Sequence, residues 1–412
     1  MFINNDSHKS YILLNIIFLL TLYFTVRPRL VNLLLILFVA FVQNLNGTNL
    51  IYHTHKIDSQ MTLYFLYIFA ISAINYENSD NWWWFIPYQF ALTSILFHTY
   101  PQEDDADGTP VIINVYKIFI VICSILGIIE AISGISITSY LGIGMHQASY
   151  IQGRVSVVFY NPLIFSTFIL VGVFAEICYP YKSQVKHIIT LLLLIASLIL
   201  TETRSTWLAI SIGTLFYIFC LQNKKNVLTS KTFVRIVVSI FIIAIIVFLL
   251  RNQIQKLFFI VSRRISQTTT SDNSFIQRLG AVSNCIEYLG RHPISLIFGN
   301  GHQFSKVFMS KNLILGSFTS IDNQYFTSIM NYGLIGLLLF WCPFFLRIPA
   351  AMHTKSNADS RFYMSVLISL LIQFIFYDAL AWYSIYLLIT LLMVFACRVD
   401  NNKSALNMYM LN

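Results

Sequence analysis

Long apolar segments recur along the whole chain, and this pattern constrains the fold more than any other feature of the sequence. One of them runs from Ile188 to Leu221 and contains two charged residues, Glu202 and Arg204. Only 10% of the 412 residues are charged and 57% are hydrophobic. So little charge cannot cover the surface of a water-soluble protein of this size. The sequence therefore predicts an all-α, polytopic membrane protein.

About twelve segments are apolar enough to cross a bilayer as helices, because a hydrocarbon core of about 30 Å requires about 20 helical residues. The run from 188 to 221 is too long for one span, so it is predicted to form two short spans joined by a turn near Arg204. The predicted spans are 10–26, 29–44, 60–75, 83–98, 111–134, 156–178, 186–201, 205–221, 232–250, 323–346, 361–377 and 380–397. This divides the chain into nine spans in 1–250, one large loop in 251–322, and three spans with a tail in 323–412.

The distribution of lysine and arginine predicts the orientation, because basic residues of short loops accumulate on the cytoplasmic side. With a cytoplasmic N-terminus, only Arg27, Arg29, Arg154 and Arg204 lie in outer short loops. The inner basic residues then include Lys182, Lys186, Lys224, Lys225, Lys231, Arg235, Arg347, Lys355 and Arg361. This bias also explains most of the net charge of +9 without a nucleic acid partner. We expect both termini in the cytoplasm and the loop 251–322 on the outer face.

The large loop contains a predicted amphipathic helix, "SFIQRLGAVSNCIEYLGRHP". Ser274 and Gln277 have the spacing of a capping box, and Gly290 suits the end of the helix. Five apolar residues recur at helical spacing and predict a buried stripe, namely Phe275, Leu279, Val282, Ile286 and Leu289. Arg278 lies about 60° from the centre of that stripe. The helix is expected to lie on the membrane domain as a lid, with Arg278 directed toward the bundle.

The sequence contains no nucleotide-binding loop, no His/Cys metal pattern and no nucleophile elbow. Four arginines can instead be placed on the outer face, Arg154, Arg204, Arg278 and Arg291. Arginine matches phosphate oxygens in bidentate geometry, and such contacts strengthen where water is scarce. Each arginine could equally be an interfacial anchor or bond a carbonyl at a helix end. The functional interpretation is a site for a lipid-linked phosphate or diphosphate.

Two residues are candidates for a proton acceptor on the same face. Asp322, in "SIDNQYF", could take a proton from a sugar hydroxyl that attacks an activated anomeric carbon. It also stands where a helix N-cap belongs, and aspartate is a favoured cap. His302 follows "FGNG", a turn whose backbone amides could approach an anion. A plain loop and a solvated histidine are the simpler alternatives there.

Taken together, these segments resemble the O-antigen polymerase and O-antigen ligase family of bacterial membrane glycosyltransferases. Order and spacing agree over roughly residues 150–345. The resemblance is carried by Gly153-Arg154, Phe159 and Asn161-Pro162; by Leu200-Thr201-Glu202-Thr203-Arg204-Ser205; by Arg278, His292-Pro293 and Gly299-Asn300-Gly301; and by Asp322-Asn323-Gln324-Tyr325 with Gly333-Leu334-Ile335-Gly336.

The resemblance implies a C-type glycosyltransferase fold in the bacterial inner membrane, with about twelve helices and a large periplasmic loop. It implies an undecaprenyl-diphosphate-linked glycan as donor, and neither metal nor cofactor. It also implies that Arg204 and Arg278 hold the diphosphate. Arg154, Arg291 and Asn323 are further candidates for binding the substrate on the outer face. A flippase and chain-length regulators are the expected protein partners.

Three functions remain open from the sequence. The first is a polymerase that joins lipid-linked repeat units into O-antigen, capsular or exopolysaccharide. The second is a ligase that moves glycan to lipid A core or to protein. Ligases of the family commonly have a histidine where this chain has Asp322, which favours the polymerase. The third is a flippase without chemistry, although no internal repeat supports a transporter.

Overall fold

In a computed structural model of the chain, the described residues are 56–79, 81–99, 108–135, 154–159, 161–221, 273–314, 316 and 318–411. They form helices and connecting loops, with no β-strand among them. The helices are α1 (Lys56–Ile74), α2 (Trp82–Thr99), α3 (Val111–Ser133), α4 (Pro162–Cys178), α5 (Gln184–Leu200), α6 (Arg204–Phe216), α7 (Asn273–Arg291), α8 (Pro293–Phe298), α9 (Phe304–Lys311), α10 (Gln324–Phe345), α11 (Ile348–His353), α12 (Ala358–Gln373) and α13 (Tyr383–Leu411). The spans predicted at 10–26, 29–44 and 232–250 lie outside these residues.

Five described stretches of helix are long and apolar enough to cross a membrane, which agrees with a multi-pass membrane protein. They are Lys56–Ile74, Val111–Ser133, Arg204–Leu221, Gln324–His353 and Tyr383–Asn402. The apolar helices Pro162–Cys178 and Gln184–Leu200 are shorter. Helix α3 exposes Ile118, Ile122, Ile125 and Ile129 along one face, the arrangement expected of a surface in contact with lipid.

The helices pack around α13. Of its span Tyr383–Asn402, 89% is buried inside the protein, whereas only 22% of Arg204–Leu221 is buried. Helix α13 is therefore central and α6 is peripheral.

A buried ion pair between Lys117 Nζ and Glu176 Oε2, 2.7 Å apart, connects α3 to the end of α4.

Helix α4 begins at Pro162 and not at residue 156 as predicted. Asn161 caps the helix, because its side-chain oxygen accepts a hydrogen bond from Leu163 N at 2.9 Å. Proline then occupies the first helical turn, where its missing N–H is not needed. The residues before the cap form a turn that packs on the α5–α6 connection, with Val155 N donating to Leu200 O at 3.2 Å.

Helix α10 is interrupted at Gly333, whose φ of 68° and ψ of −177° are not helical. The break frees carbonyl oxygens that a continuous helix would have bonded. The backbone amides of Asn300 and Gly301 donate to Asn331 O at 3.0 and 2.8 Å, and the Asn300 side chain donates to Met330 O at 3.0 Å. The loop "FGNGH" therefore fills the gap in α10. A β-carbon on Gly333 would lie 2.2 Å from Ile297 O, so this approach requires glycine.

The last two predicted spans, 361–377 and 380–397, are separated by a longer connection than expected. Helix α12 ends at Gln373 and α13 begins at Tyr383, with a 3₁₀ turn at Ala379–Ala381 between them. This connection lies beside the start of α10, because Gln324 N donates to Phe374 O at 2.9 Å. We call residues 318–324 and 374–382 the loop end of the bundle.

The orientation of the chain can be tested with single cysteines in a variant that lacks the six native cysteines. Lys311→Cys, exposed at the end of α9, should react with a membrane-impermeant maleimide in intact spheroplasts. Lys182→Cys, exposed between α4 and α5, should react only after the membrane is opened. The reverse labelling would invert the predicted topology and place the loop end in the cytoplasm.

Candidate functional site

Asp322 is not the N-cap of α10, in contrast to one interpretation of the sequence. Asn323 has the extended backbone of a cap, and its side-chain oxygen accepts from Tyr325 N at 3.0 Å and Phe326 N at 3.2 Å. Asp322 precedes it in the left-handed region, with φ of 54°, a conformation that aspartate tolerates better than most residues. Because Asn323 provides the cap, the carboxylate of Asp322 is available for other contacts.

The predicted lid helix is present as α7, but the predicted buried stripe is wrong in part. The buried positions include Gln277, Ala281 and Cys285, whereas Leu279 and Ile286 are each 56% exposed. Ala281 and Cys285 pack in a buried cluster with Met309, Ile321 and Met330. The helix therefore directs its small and polar residues at the loop end.

Gln277 and Arg278 connect α7 to the loop end. Gln277 Nε2 donates to Ser320 O at 3.3 Å instead of completing a capping box. Arg278 Nη2 lies 3.8 Å from Asp322 Oδ2, and both side chains are about one-third exposed, 30% and 28%. Within the described part of the chain, the buried Nε of Arg278 has no hydrogen-bond partner. The guanidinium therefore keeps donor capacity beyond its contact with Asp322.

A second carboxyl, Asp378, lies in the same network. Its Oδ2 is 2.7 Å from Ser320 Oγ, its Oδ1 accepts from Asn323 N at 3.2 Å, and Thr327 Oγ1 also donates to Oδ1. Ser320 Oγ is in turn 2.6 Å from Asp322 Oδ1. One serine hydroxyl thus joins the two carboxyls.

Burial raises the pKa of the Asp378 carboxyl above its ordinary value, and the negative charge of Asp322 acts in the same direction. Hydrogen bonds from Thr327, Ser320 and the Asn323 amide oppose this rise. Asp322 instead faces Arg278. The two carboxyls therefore stand in different environments although they share a hydroxyl.

Beside this network is a cavity of about 410 Å³, a size typical of small-ligand pockets. Its walls are mostly aromatic rings, amides and hydroxyls. The lining residues are Tyr64, Phe85, Gln89, His302, Gln303, Ser305, Lys306, Thr319, Ser320, Gln324, Thr327, Ser328, Asn331, Tyr332, Asp378, Leu380, Ala381, Trp382 and Tyr386.

His302 lines the cavity but is poorly suited to the predicted role of base. It is 5% exposed, stacks near Phe85 with 4.3 Å between ring centroids, and places Nδ1 2.6 Å from Tyr332 Oη. Burial lowers the pKa of His302 to about 3. It is therefore neutral at pH 7 and a weak acceptor of protons. The amides before it are also committed to α10, so "FGNG" does not offer them to an anion.

The structure does not gather the four predicted arginines into one cluster. Arg154 Nε donates to the carbonyl oxygen of Thr201, the C-cap residue of α5, at 3.0 Å. This is the bond to a helix end that was the alternative to a phosphate contact. Arg291 pairs with Glu287 at 2.5 Å and is 73% exposed. It lies thirteen residues from Arg278 on the same helix, or about 20 Å at 1.5 Å per residue.

Arg204 begins α6 at the loop end. Two residues later, Thr206 Oγ1 accepts from Gln373 Nε2 at 2.6 Å, and Gln373 is the last residue of α12. Arg204 and Arg278 thus lie on the two helices, α6 and α7, that approach the loop end. Asn323, the remaining predicted ligand, uses its side-chain oxygen as a cap.

Asp378 was missed in the sequence. It stands in "FIFYDALAWY", between the last two predicted spans and on the predicted outer side. An isolated carboxylate followed by aromatic residues at a membrane face is a pattern that could have identified Asp378 as a candidate functional residue.

The fold and site define a polytopic membrane protein in which two carboxyls and an arginine lie beside a cavity at one end of the helical bundle, with Asp378 in the cavity wall. A family model described as O-antigen ligase matches residues 189–341, and this confirms the resemblance to the O-antigen polymerase and ligase family. No curated protein matches the chain. The matched segment includes Arg204, Arg278 and Asp322 and ends before Asp378. Members of this family are membrane glycosyltransferase-like enzymes that act on lipid-linked glycans.

The cap assignment predicts a difference in stability. Asn323→Ala should lower the free energy of unfolding by about 1 kcal/mol, because two amides of α10 lose their acceptor. Asn323→Ser should retain most of the stability of the unsubstituted protein, since serine is also a favoured cap. Thermal unfolding of the purified protein in detergent measures both. Equal stability of Asn323→Ala and the unsubstituted protein would show that Asn323 is not the cap.

Proposed function

We propose that the protein is a repeat-unit polymerase that joins undecaprenyl-diphosphate-linked oligosaccharides at the outer face of the bacterial inner membrane. The observation that carries this proposal is the arrangement at the loop end. An arginine with unused donors and a pair of carboxyls lie beside a cavity lined by aromatic and polar side chains. These are the groups needed to hold a diphosphate and to deprotonate a sugar hydroxyl.

In this proposal the donor is the growing chain, and its diphosphate binds Arg278 and Arg204. The Nε of Arg278 lacks a partner in the described structure, and a phosphate oxygen would supply one. Its contact with Asp322 at 3.8 Å is long, so phosphate can compete for the guanidinium. Arginine cations neutralise the leaving diphosphate, and the proposal therefore assigns no metal to the site.

The reaction forms two bonds and breaks two. A hydroxyl of the acceptor unit attacks the anomeric carbon of the donor, and the bond from that carbon to the diphosphate breaks with its electron pair. The acceptor hydroxyl loses its proton to a carboxylate. The sequence suggested Asp322 for this role, and because Ser320 couples Asp322 to Asp378, we propose that the pair is the proton acceptor.

A ligase is the second candidate, since the matching family model is described as O-antigen ligase. A ligase uses the same donor and the same chemistry but a different acceptor. Asp322, at the position where ligases of the family commonly have histidine, and the low basicity of His302 both support the polymerase.

The decisive experiment is the extraction of lipid-linked glycans from a strain in which the gene is deleted. We expect single repeat units on the carrier, exposed to the periplasm, and no polymer by gel electrophoresis. Complementation with the intact gene should restore polymer. Long chains retained on the carrier would identify a ligase, and units confined to the inner leaflet would identify a flippase.

Arg278→Ala should reduce polymer at least about 100-fold when the complemented strain is assayed, because the diphosphate loses a preorganised donor. Arg278→Lys should restore little, since lysine cannot form the bidentate fork. Arg291→Ala is the control on the same helix, and because its guanidinium is in an exposed pair with Glu287, we expect normal polymer. All variants should reach the membrane in similar amounts by immunoblot. Normal polymer from Arg278→Ala would remove Arg278 from the site.

A further inference from the structure

Resting on the proposed function, we propose that the cavity binds the terminal sugar of the acceptor unit and that Asp378 is the carboxylate that takes the proton from its hydroxyl. Neither the family match, which ends at residue 341, nor the sequence assigns this residue or this cavity.

The first support is a set of buried polar groups that point at the cavity without partners. Tyr64, Gln89 and Tyr386 line it, and each is only 2% exposed. Within the described residues, no protein group hydrogen-bonds the hydroxyl of either tyrosine or the side-chain amide of Gln89, and these atoms are open to the cavity instead of being sealed in the core. Buried polar groups are nearly always bonded, and leaving one unpaired costs about 1–3 kcal/mol. An apolar occupant would leave all three unpaired, whereas a sugar presents hydroxyls to each.

The aromatic rings add a second feature of sugar sites. Trp382 and Tyr386 at the start of α13 and Phe85 of α2 all line the cavity. Aromatic side chains offer large apolar faces at a low cost in conformational entropy. A pyranose ring has C–H faces and a polar edge, so it can contact rings and amides at once. A lipid tail or a bare phosphate uses only one of these surfaces.

The position of Asp378 distinguishes it from Asp322. Asp378 lines the cavity together with Ser320 and Thr327, whereas Asp322 extends from Ser320 toward Arg278. The donor diphosphate and the acceptor sugar are thus assigned to opposite sides of one serine. An acceptor hydroxyl in the cavity would meet Asp378 first.

The hydrogen bonds of Ser320 favour the arrival of a proton on this pair. Its hydroxyl has one hydrogen and two lone pairs, and Asp322 N already donates to it at 3.1 Å. The carboxyls at 2.6 and 2.7 Å cannot both receive its single hydrogen. If Asp378 is protonated, it donates to Ser320, and Ser320 donates to Asp322. Every contact is then a hydrogen bond, so the network is complete only after one proton has been taken up.

The step balances without another reactant. The acceptor O–H bond breaks and its proton goes to Asp378. The acceptor oxygen forms a bond to the anomeric carbon, and the diphosphate leaves with the electron pair of the broken C–O bond. Release of the proton to water restores the pair for the next addition.

The rate should depend on pH because Asp378 must be ionised to act. The rate therefore falls as the pH drops through the pKa of the pair, and burial places that fall above the pH range of an ordinary aspartate. The other ionisable groups that face Asp378 or the cavity are Asp322, Arg278, Lys306, His302, Cys285, Tyr64, Tyr332 and Tyr386. His302 is neutral throughout the neutral range.

The test uses the full-length protein in nanodiscs of phosphatidylethanolamine and phosphatidylglycerol. Lipid-linked units from the deletion strain serve as donor at a fixed concentration. The repeat-unit oligosaccharide, cleaved from its carrier by mild acid, serves as a varied acceptor. Because this oligosaccharide lacks the diphosphate, it cannot be a donor, and its KM reports on the acceptor site alone.

We expect Asp378→Asn to lower kcat about 10²–10⁴-fold and to flatten the acid limb of the pH profile, as for loss of a general base. Gln89→Leu and Tyr64→Phe should raise the KM for the oligosaccharide about 5–10-fold with kcat within about twofold, since each removes one hydrogen bond. Asp400→Asn is the matched control, because Asp400 pairs with Arg347 at 3.1 Å and lies fourteen residues along α13 from the lining residue Tyr386, or about 21 Å at 1.5 Å per residue. It should retain the kcat, KM and pH profile of the intact enzyme.

The outcomes separate this proposal from the function on which it rests. If the unsubstituted enzyme extends neither the lipid-linked units nor the free oligosaccharide, the proposed polymerase function and the proposed acceptor site are both wrong. If it extends them and Asp378→Asn keeps the normal kcat and pH profile, only the role of Asp378 is wrong. An unchanged KM in both Gln89→Leu and Tyr64→Phe overturns the acceptor site. Those two variants also decide the case if Asp378→Asn does not fold.

Discussion

The interruption of α10 at Gly333 is the constraint on which the loop end depends. Inside a bilayer, a helix that breaks exposes carbonyl oxygens that lipid cannot hydrogen-bond, so the protein must supply the donors. Here the backbone of Asn300 and Gly301 supplies the donors, and Tyr67 adds a hydrogen bond from its hydroxyl to Tyr332 O at 3.2 Å. The loop is thereby fixed against α10. This contact sets His302 and Ser305 on one wall of the cavity and the first turns of α10 on another.

Asp322 and Asp378 have identical side chains in different environments, and this difference allows them different roles. Asp322 faces an arginine, and Asp378 is desolvated and held by hydroxyls and an amide. Such a difference in surroundings lets one carboxyl accept a proton while the other stays beside a cation. Ser320 couples them, so substitution of either carboxyl should be felt by the other.

Sequence reasoning recovered the elements whose formation is local. Within the described residues, the apolar helices followed from apolar length and α7 followed from helical periodicity. The side of α7 that is buried could not be predicted from periodicity, because Gln277, Ala281 and Cys285 are buried by contacts with residues about forty positions away in sequence. Asp378 was missed for a different reason. Its importance depends on contacts with Ser320 and Thr327, which lie more than fifty residues away and meet it only because α10, α12 and α13 converge.

The size of the cavity has a consequence for the product. At about 410 Å³ it can enclose the end of an acceptor but not a polysaccharide. If the protein is the polymerase proposed above, each addition is blind to how many units the donor chain already contains. Chain termination would then be a random event with the same probability at every cycle, and the lengths would follow a broad geometric distribution. A narrow range of lengths in the cell would have to be imposed by a separate component that measures the chain outside this site.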